Sequence, residues 1–158
     1  MESYSPTSTF AIRQGASADI PATVHLDHVA RADERRRAFI ARVIEAGECY
    51  LAMASEGLIA GYAALDYTFY DQGFVSMLYV REEHRRMGAG TLLMVHLEGL
   101  CATPKIFTST NLSNIPMQRL LSKLAYNLCG VIDHLDEGDP ELVYVKVLAP
   151  DKVNRSGR

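Results

Sequence analysis

Hydrophobic and polar positions repeat along this chain with two different spacings, one typical of β-strands and one typical of α-helices. Short apolar runs of strand type cover residues 10–13, 49–54, 58–67 and 74–80. Before the second run, apolar side chains recur at helical spacing and predict a helix over residues 32–46. Short turns join the three later runs, so the sheet is expected to begin with antiparallel strands.

The second half of the chain alternates helices with strands. The pattern predicts helices at 91–100 and 116–128, a strand at 105–110, and a final pair of strands at 131–135 and 142–148 around an acidic turn. This order is typical of an α/β (α+β) fold with a mixed sheet. We expect one domain over residues 10–148, between polar tails at 1–9 and 149–158.

Composition and charge narrow the class of function. The chain has 158 residues, 48% of them hydrophobic, and a formal net charge of -3, which argues against nucleic acid or an anionic membrane as partner. Three widely spaced cysteines without a C-x-x-C pair predict neither a disulfide framework nor a metal site. Without a leader pattern or a membrane span, we expect a cytoplasmic protein with a small molecule or a peptide as partner.

The segment after the fourth predicted strand has the pattern of a diphosphate site. The strand ends at Val80, and a basic turn leads to a helix start with Gly88 and Gly90. Glycines let backbone N–H groups converge on phosphate oxygens at a helix N-terminus. A P-loop would need Lys-Ser/Thr after its last glycine, and a dinucleotide fingerprint would need a glycine or alanine where Leu93 stands.

What remains is R-x-x-G-x-G from Arg85 to Gly90, which resembles the coenzyme A pyrophosphate loop of the GNAT superfamily of acyl-CoA-dependent N-acetyltransferases. Many members also place Asn after the fifth strand, followed by the helix pattern N-x-x-A-x-x-L-Y-x-K-x-G-F. Here the matching positions are Asn114, Leu120 and Lys123, and the substituted ones are Met117, Ala125 and Tyr126. The resemblance covers residues 10–148 and implies a GNAT-type acyl-CoA N-acyltransferase fold, with about six to seven strands and about four helices.

The resemblance also implies a binding site for acetyl-CoA. Backbone groups of the fourth strand would hydrogen-bond the pantetheine arm, an asparagine would assist, and the N–H groups of the glycine turn would hold the pyrophosphate. The implied residues are Leu78, Val80, Arg85, Arg86, Met87, Gly88, Ala89, Gly90, Thr91 and Asn114. For the two arginines, the alternative is a solvated basic turn.

The acid and base that many relatives use are missing from this chain. Leu121 stands where many members carry the tyrosine that protonates the leaving thiolate, and Ser109 stands where one branch carries a glutamate base. Tyr67 and Ser122 are the candidate catalytic substitutes, although a packed strand tyrosine and a solvent-facing serine are the simpler interpretations. A water relay is a third route for the proton.

An acidic turn at residues 136–141 is the predicted acceptor site. It would attract a cationic amine together with carboxylates and aromatic rings of the third strand. The predicted substrate-binding residues are Asp66, Tyr70, Glu137 and Asp139. The alternative is a polar hairpin turn that binds nothing.

These features favour an acetyl-CoA-dependent N-acetyltransferase, which moves an acetyl group to a primary amine of a small molecule or peptide by direct attack in a ternary complex. One alternative is a non-catalytic acyl-CoA-binding or regulatory domain. Another is a small α/β interaction module without a cofactor. Exposed sheet edges are compatible with a homodimer.

Overall fold

The predicted elements occur in the predicted order, and one helix that the pattern did not predict, Ile20–Leu26, precedes the helix predicted over residues 32–46. A computed structural model describes residues 9–148, so both predicted tails lie outside the described residues apart from Thr9. The elements are β1 (Ala11–Gln14), α1 (Ile20–Leu26), α2 (Glu34–Glu45), β2 (Cys49–Met53), β3 (Ile59–Phe69), β4 (Gln72–Val80), α3 (Ala89–Leu100), β5 (Lys105–Asn111), α4 (Ile115–Lys123), β6 (Asn127–Ile132) and β7 (Glu141–Val147).

The strands form one mixed sheet in the order β1-β2-β3-β4-β5-β7-β6. β1 pairs with β2 antiparallel, β4 with β5 parallel, and β7 antiparallel with both β5 and β6. Seven strands and four α-helices within residues 9–148 confirm the predicted fold class.

The predicted boundary between α4 and β6 is wrong. α4 ends at Lys123, five residues before the predicted end, and β6 begins at Asn127 rather than at residue 131. Ala125 takes a left-handed conformation with φ 65, and the N–H groups of Tyr126 and Ala125 close the helix on Leu121 O (2.9 Å) and Ser122 O (3.1 Å). This is a Schellman C-cap, for which glycine is the usual residue. The apolar residues that follow therefore belong to the strand.

The described chain divides into two compact units. Unit 1 consists of the residues up to Tyr62 together with Tyr79–Leu93. Its core is formed by α1, α2 and β2, with Ile40, Val43 and Leu51 fully buried. Asp33 caps α2, because its carboxylate accepts hydrogen bonds from the N–H groups of Arg35 and Arg36.

Unit 2 consists of Ala63–Leu78 and the residues from Met94 onward. β5, β7 and β6 form its framework, and Leu97, Ile106 and Leu121 are fully buried. One buried carboxylate, Glu98, accepts hydrogen bonds from Tyr126 Oη (3.0 Å) and from Lys146 Nζ (2.9 Å). The charge is therefore paired in the interior.

Candidate functional site

The turn between β4 and α3 has the backbone conformation that a diphosphate site requires. After β4, the chain passes through a 3₁₀ turn at Glu82–His84, and Gly88 then takes a φ of 93, which side chains disfavour. A Cβ atom at Gly88 would have nothing within 4 Å, so the space in front of the turn is open. Glycine is needed here for its conformation, and a ligand can approach the backbone.

The first turn of α3 supplies unused donors to that space. Its first backbone hydrogen bond runs from Leu92 N to Gly88 O at 3.0 Å. The N–H groups of Ala89, Gly90 and Thr91 precede that bond, and at the start of an α-helix such groups have no carbonyl partner within the helix. Together with the positive end of the helix dipole, they suit an anion. The residues therefore fit the diphosphate of coenzyme A.

Arg85 anchors the turn to the end of β4. Its Nε donates to Val80 O at 3.0 Å, and its guanidinium carbon lies 5.9 Å from the ring centroid of Tyr79. The backbone of Val80 is predicted to bind the pantetheine arm, and its carbonyl thus already accepts one hydrogen bond. On β3, a Cβ atom added at Gly61 would lie only 2.6 Å from Tyr79 O. Because glycine has no Cβ, the two backbones can approach closely here.

Within unit 2, β4 and β5 are paired over only part of their length. The parallel register runs from Gly73↔Ile106 to Val75↔Thr108, whereas both strands continue beyond it. Leu78 lies in the part of β4 after this register ends. The Oγ atom of Ser76, in the same part, is buried and has no hydrogen-bond partner in the described chain. This part of β4 therefore has backbone groups that β5 does not use.

Asn114 acts as the N-cap of α4. Its side-chain oxygen accepts a hydrogen bond from Met117 N at 3.2 Å, which satisfies one of the donors at the start of the helix. Its predicted contact with the pantetheine arm stays a prediction.

The two predicted catalytic residues both lie in unit 2. The hydroxyl of Tyr67 accepts a hydrogen bond from Ala102 N at 3.0 Å, and its side chain is 38% exposed. Ser122 faces solvent on α4, whereas its neighbour Leu121 is fully buried. Both candidates stay predictions, and the position of the missing tyrosine is occupied by a core residue.

The carboxylates of the acidic turn hold their own loop. Asp139 accepts from the backbone N–H of Ser113 at 2.9 Å and from the hydroxyl of Ser113. Asp136 accepts from Asn111 Nδ2 at 2.8 Å. Glu137 is exposed and makes no ion pair with any residue between 9 and 148. Among these three carboxylates, Glu137 is the one left for a ligand.

The two predicted acceptor residues of the β3–β4 region also have structural roles. Asp66 is buried and accepts hydrogen bonds from Thr68 N (3.0 Å) and Thr68 Oγ1 (2.7 Å). Tyr70 and Asp71 form the two-residue turn between β3 and β4, with φ values of 51 and 59, and Tyr70 is 85% exposed. Two positive φ values are typical of a type I′ hairpin turn.

Unit 1 contains a polar cleft that the sequence pattern did not indicate. Its volume is about 320 Å³, and its lining includes His28, Arg31, Tyr79, Arg81, Glu82, Glu83 and Arg85. The imidazole Nδ1 of His28 lies 2.6 Å from Tyr79 Oη, which also accepts from His28 N at 3.3 Å. The cleft therefore brings the connection after α1 next to the end of β4 and the start of the glycine turn.

A buried aspartate fixes the wall of this cleft. Asp27 accepts hydrogen bonds from Tyr62 Oη (2.6 Å), Arg36 Nε (2.9 Å) and Val29 N (2.9 Å), and it is fully buried. Burial by itself would raise the pKa of the Asp27 carboxyl, but the hydrogen bond from Tyr62 and the charge of Arg36 outweigh burial and lower that pKa. Asp27 thus stays ionised and fixes the backbone that directly follows His28, through the N–H groups of Val29 and Ala30.

Sequence reasoning missed this cleft because none of its residues forms a motif. His28 follows a short helix at no diagnostic spacing, and Tyr79 alternates with Leu78 and Val80 as any strand residue would. The available signal was local: two histidines at residues 25 and 28, and charges of both signs directly after β4.

Two features are absent from residues 9–148. No helix there is long and apolar enough to cross a bilayer. No group of three or more His, Cys, Asp or Glu side chains in the same range is arranged to hold a metal ion.

Comparison with known proteins identifies the family of the chain. The model of the acetyltransferase (GNAT) family matches residues 16–126, whereas no curated protein matches the chain. Among solved structures, a GNAT family acetyltransferase from Bacillus cereus ATCC 10987 is 29% identical, with a TM-score of 0.82 over 89% of this chain and 98% of that chain.

Two more distant structures share the fold. The ribosomal-protein-S18-alanine N-acetyltransferase from Escherichia coli is 17% identical, with a TM-score of 0.72 over 89% of this chain and 95% of that chain. The yncA protein from Salmonella typhimurium, in a structure with its cofactor acetyl-CoA, is also 17% identical, with a TM-score of 0.71 over 90% of this chain and 95% of that chain.

Proposed function

Since this chain belongs to the GNAT family of acetyltransferases, we propose that it is an acetyl-CoA-dependent N-acetyltransferase. It moves the acetyl group to a primary amine of a small molecule or a peptide, by direct attack in a ternary complex. The observation that supports this most is the turn at Gly88, where a φ of 93, open space and unused helix N–H groups coincide.

The residues that would hold acetyl-CoA are those of the predicted site. The N–H groups of residues 86–91 would bind the diphosphate, the backbone at Leu78 and Val80 would bind the pantetheine arm, and Asn114 would assist. Acetyl-CoA supplies a thioester carbonyl that a neutral amine can attack.

The chain itself must align the amine and remove its proton. Alignment alone can contribute about 7–11 kcal/mol. Tyr67, Ser122 and a water relay remain candidates for moving protons, and the cleft adds His28, because imidazole is the side chain that most often serves as a general base. Asp66, Tyr70, Glu137 and Asp139 stay the sequence-based prediction for a cationic acceptor, although Asp66 and Asp139 already accept hydrogen bonds from Thr68 and Ser113.

Titration calorimetry with coenzyme A tests the cofactor site. Gly88→Asp places a carboxylate against the diphosphate and should weaken binding by at least about 100-fold, equivalent to about 2.7 kcal/mol. Gly57→Asp is the matched control, because Gly57 also has a positive φ (75) and an added Cβ atom there would meet nothing within 4 Å, but this glycine lies in the β2–β3 connection. Equal coenzyme A affinity in both variants would refute the site.

A non-catalytic acyl-CoA-binding domain is the second candidate. It is favoured by Leu121, which is fully buried where many relatives carry the catalytic tyrosine. A thiol-release screen with acetyl-CoA against polyamines, aminoglycosides, amino acids and N-terminal peptides separates the two. Tight binding of acetyl-CoA without thiol release for any amine would favour the non-catalytic domain.

A further inference from the structure

We propose that the cleft of unit 1 binds the acceptor, and that the acceptor is a small amine that also carries a carboxylate, as an amino acid does. This inference rests on the proposed acetyl transfer and specifies its substrate class. The cleft presents cationic and anionic side chains together, which is the pattern that a zwitterion requires.

The cationic side of the cleft has unused hydrogen-bond donors. The guanidinium of Arg31 makes no ion pair or side-chain hydrogen bond with residues 9–148. The Nε atom of Arg81 is buried without a hydrogen-bond partner in the same range, and its one ion pair, to Glu83, is long at 3.4 Å. A buried N–H of a guanidinium costs free energy until it is paired, and a carboxylate matches its planar geometry.

The anionic side of the cleft is formed by two consecutive glutamates. Glu82 and Glu83 are both exposed, and no hydrogen bond within residues 9–148 uses the Glu82 side chain. A hydrogen bond from its own backbone N–H, aided by Arg81, lowers the pKa of the Glu83 carboxyl. Ionised carboxylates at the rim would attract the ammonium group of an acceptor.

The size of the cleft limits what can enter. Ligand pockets in proteins range from about 300 to 1,000 Å³, and this cleft lies at the small end with about 320 Å³. A molecule of amino-acid size fits such a volume. His28 and Tyr79 lie in the same lining, so an amine bound there is within the same cleft as a candidate proton acceptor.

The test compares amines that differ only in the carboxylate. Lysine with cadaverine, histidine with histamine, and phenylalanine with phenethylamine are assayed by thiol release from acetyl-CoA. We expect the carboxylate-bearing member of at least one pair to have a kcat/KM about tenfold higher or more. Tenfold corresponds to about 1.4 kcal/mol, which one charge-assisted hydrogen bond can contribute.

Three variants assign that preference to the cleft. Arg31→Gln and Arg81→Gln should reduce the preference to about threefold or less by raising KM for the amino acid, with KM for acetyl-CoA unchanged. Arg35→Gln is the matched control, because Arg35 is exposed on α2 and does not line the cleft. It should keep the full preference.

Several outcomes would overturn the inference while leaving acetyl transfer intact. These are equal rates for both members of every pair, faster reaction of the amines without a carboxylate, and preference for phosphoethanolamine over β-alanine. A raised KM for acetyl-CoA in both arginine variants would instead assign the cleft to the cofactor. No thiol release with any amine would refute the proposed function itself.

Discussion

Two charged regions of this molecule look alike in sequence but differ in how their charges are used. In the acidic turn of unit 2, Asp136 and Asp139 accept hydrogen bonds from Asn111 and Ser113, so their negative charge holds the loop. In the cleft of unit 1, the side chains of Arg31 and Glu82 make no such bonds with other described residues. The number of charges in a segment therefore does not reveal whether they are available.

The difference shows that the hydrogen bonds a charged side chain already makes indicate a binding region better than its charge does. A carboxylate that already accepts hydrogen bonds within its own loop would lose those bonds if it rotated to contact a ligand. A guanidinium without protein partners breaks no hydrogen bond within the protein on binding, and it exchanges its bonds to water for a charge-assisted bond to the ligand. The acidic turn is thus expected to contribute stability, and the cleft is expected to contribute specificity.

The largest expected effect comes from Asp27, which supports the cleft from behind. Asp27→Ala would leave the buried Tyr62 Oη and the partly exposed Arg36 guanidinium without their partner, and we expect a loss of about 3–5 kcal/mol in the free energy of unfolding. Urea unfolding measures it. Asp33→Ala is the control, since Asp33 caps α2 at the surface and should cost about 1 kcal/mol.

A comparable loss in both aspartate variants would contradict the view that a buried network fixes the cleft wall. Asp27→Asn adds a second readout, because it keeps the shape of the side chain. If it folds, it should raise KM for the acceptor more than KM for acetyl-CoA, since His28 follows it directly in the chain.

Asp139→Ala tests the other region. Loss of the bonds to Ser113 N and Ser113 Oγ should cost about 1–2 kcal/mol in stability, with kcat/KM for every accepted amine nearly unchanged at a temperature where the variant is folded. Glu137→Ala is the matched control and should change stability by less than about 0.5 kcal/mol. Unchanged stability with a lower kcat/KM in either variant would return the acceptor site to the acidic turn.

Most of the fold could be predicted because periodicity reports burial directly. The α3 region and the β5 strand follow from apolar spacing. The antiparallel start was expected from the short turns, and the mixed sheet was expected from the order of the elements. The end of α4 could not be predicted, because Leu124 and Leu128 continue a helical pattern. What ends the helix is the left-handed backbone of Ala125, a residue type that gives no sign of it.

The site was predictable to the extent that it depends on backbone. Gly88 marks the turn, because only glycine adopts a φ of 93 without strain. The cleft depends instead on side chains from separate segments, such as His28 and Tyr79, which become neighbours only in the folded chain. Single-sequence patterns do not report that proximity.

Ala125→Gly should raise the free energy of unfolding by about 1 kcal/mol. The substitution could therefore be combined with destabilising variants of the acidic turn to keep them folded. The left-handed conformation at φ 65 is strained for alanine but not for glycine. Ala41→Gly is the matched control in the interior of α2 and should cost about 1 kcal/mol. Thermal unfolding measures the stability of both variants. Lower stability in both of them would contradict the assigned C-cap.

The smallest effect concerns acid stability at the start of α1. Hydrogen bonds from Arg13 lower the pKa of Asp19 to about 2, because they outweigh the opposing effect of burial, with help from Ala16 N and the charge of Arg13. A lowered pKa means that the stabilisation is present above the ordinary pKa of about 4 and is lost as pH falls toward about 2.

Asp19→Asn should therefore lower the free energy of unfolding at pH 7, by at most about 1 kcal/mol for so exposed a pair. It should also flatten the decline of that free energy between pH 4 and 2. Urea midpoints across that range measure it, with Glu137→Gln as the unpaired control. Parallel pH curves for Asp19→Asn and the parent protein would show that the ion pair with Arg13 does not stabilise unit 1.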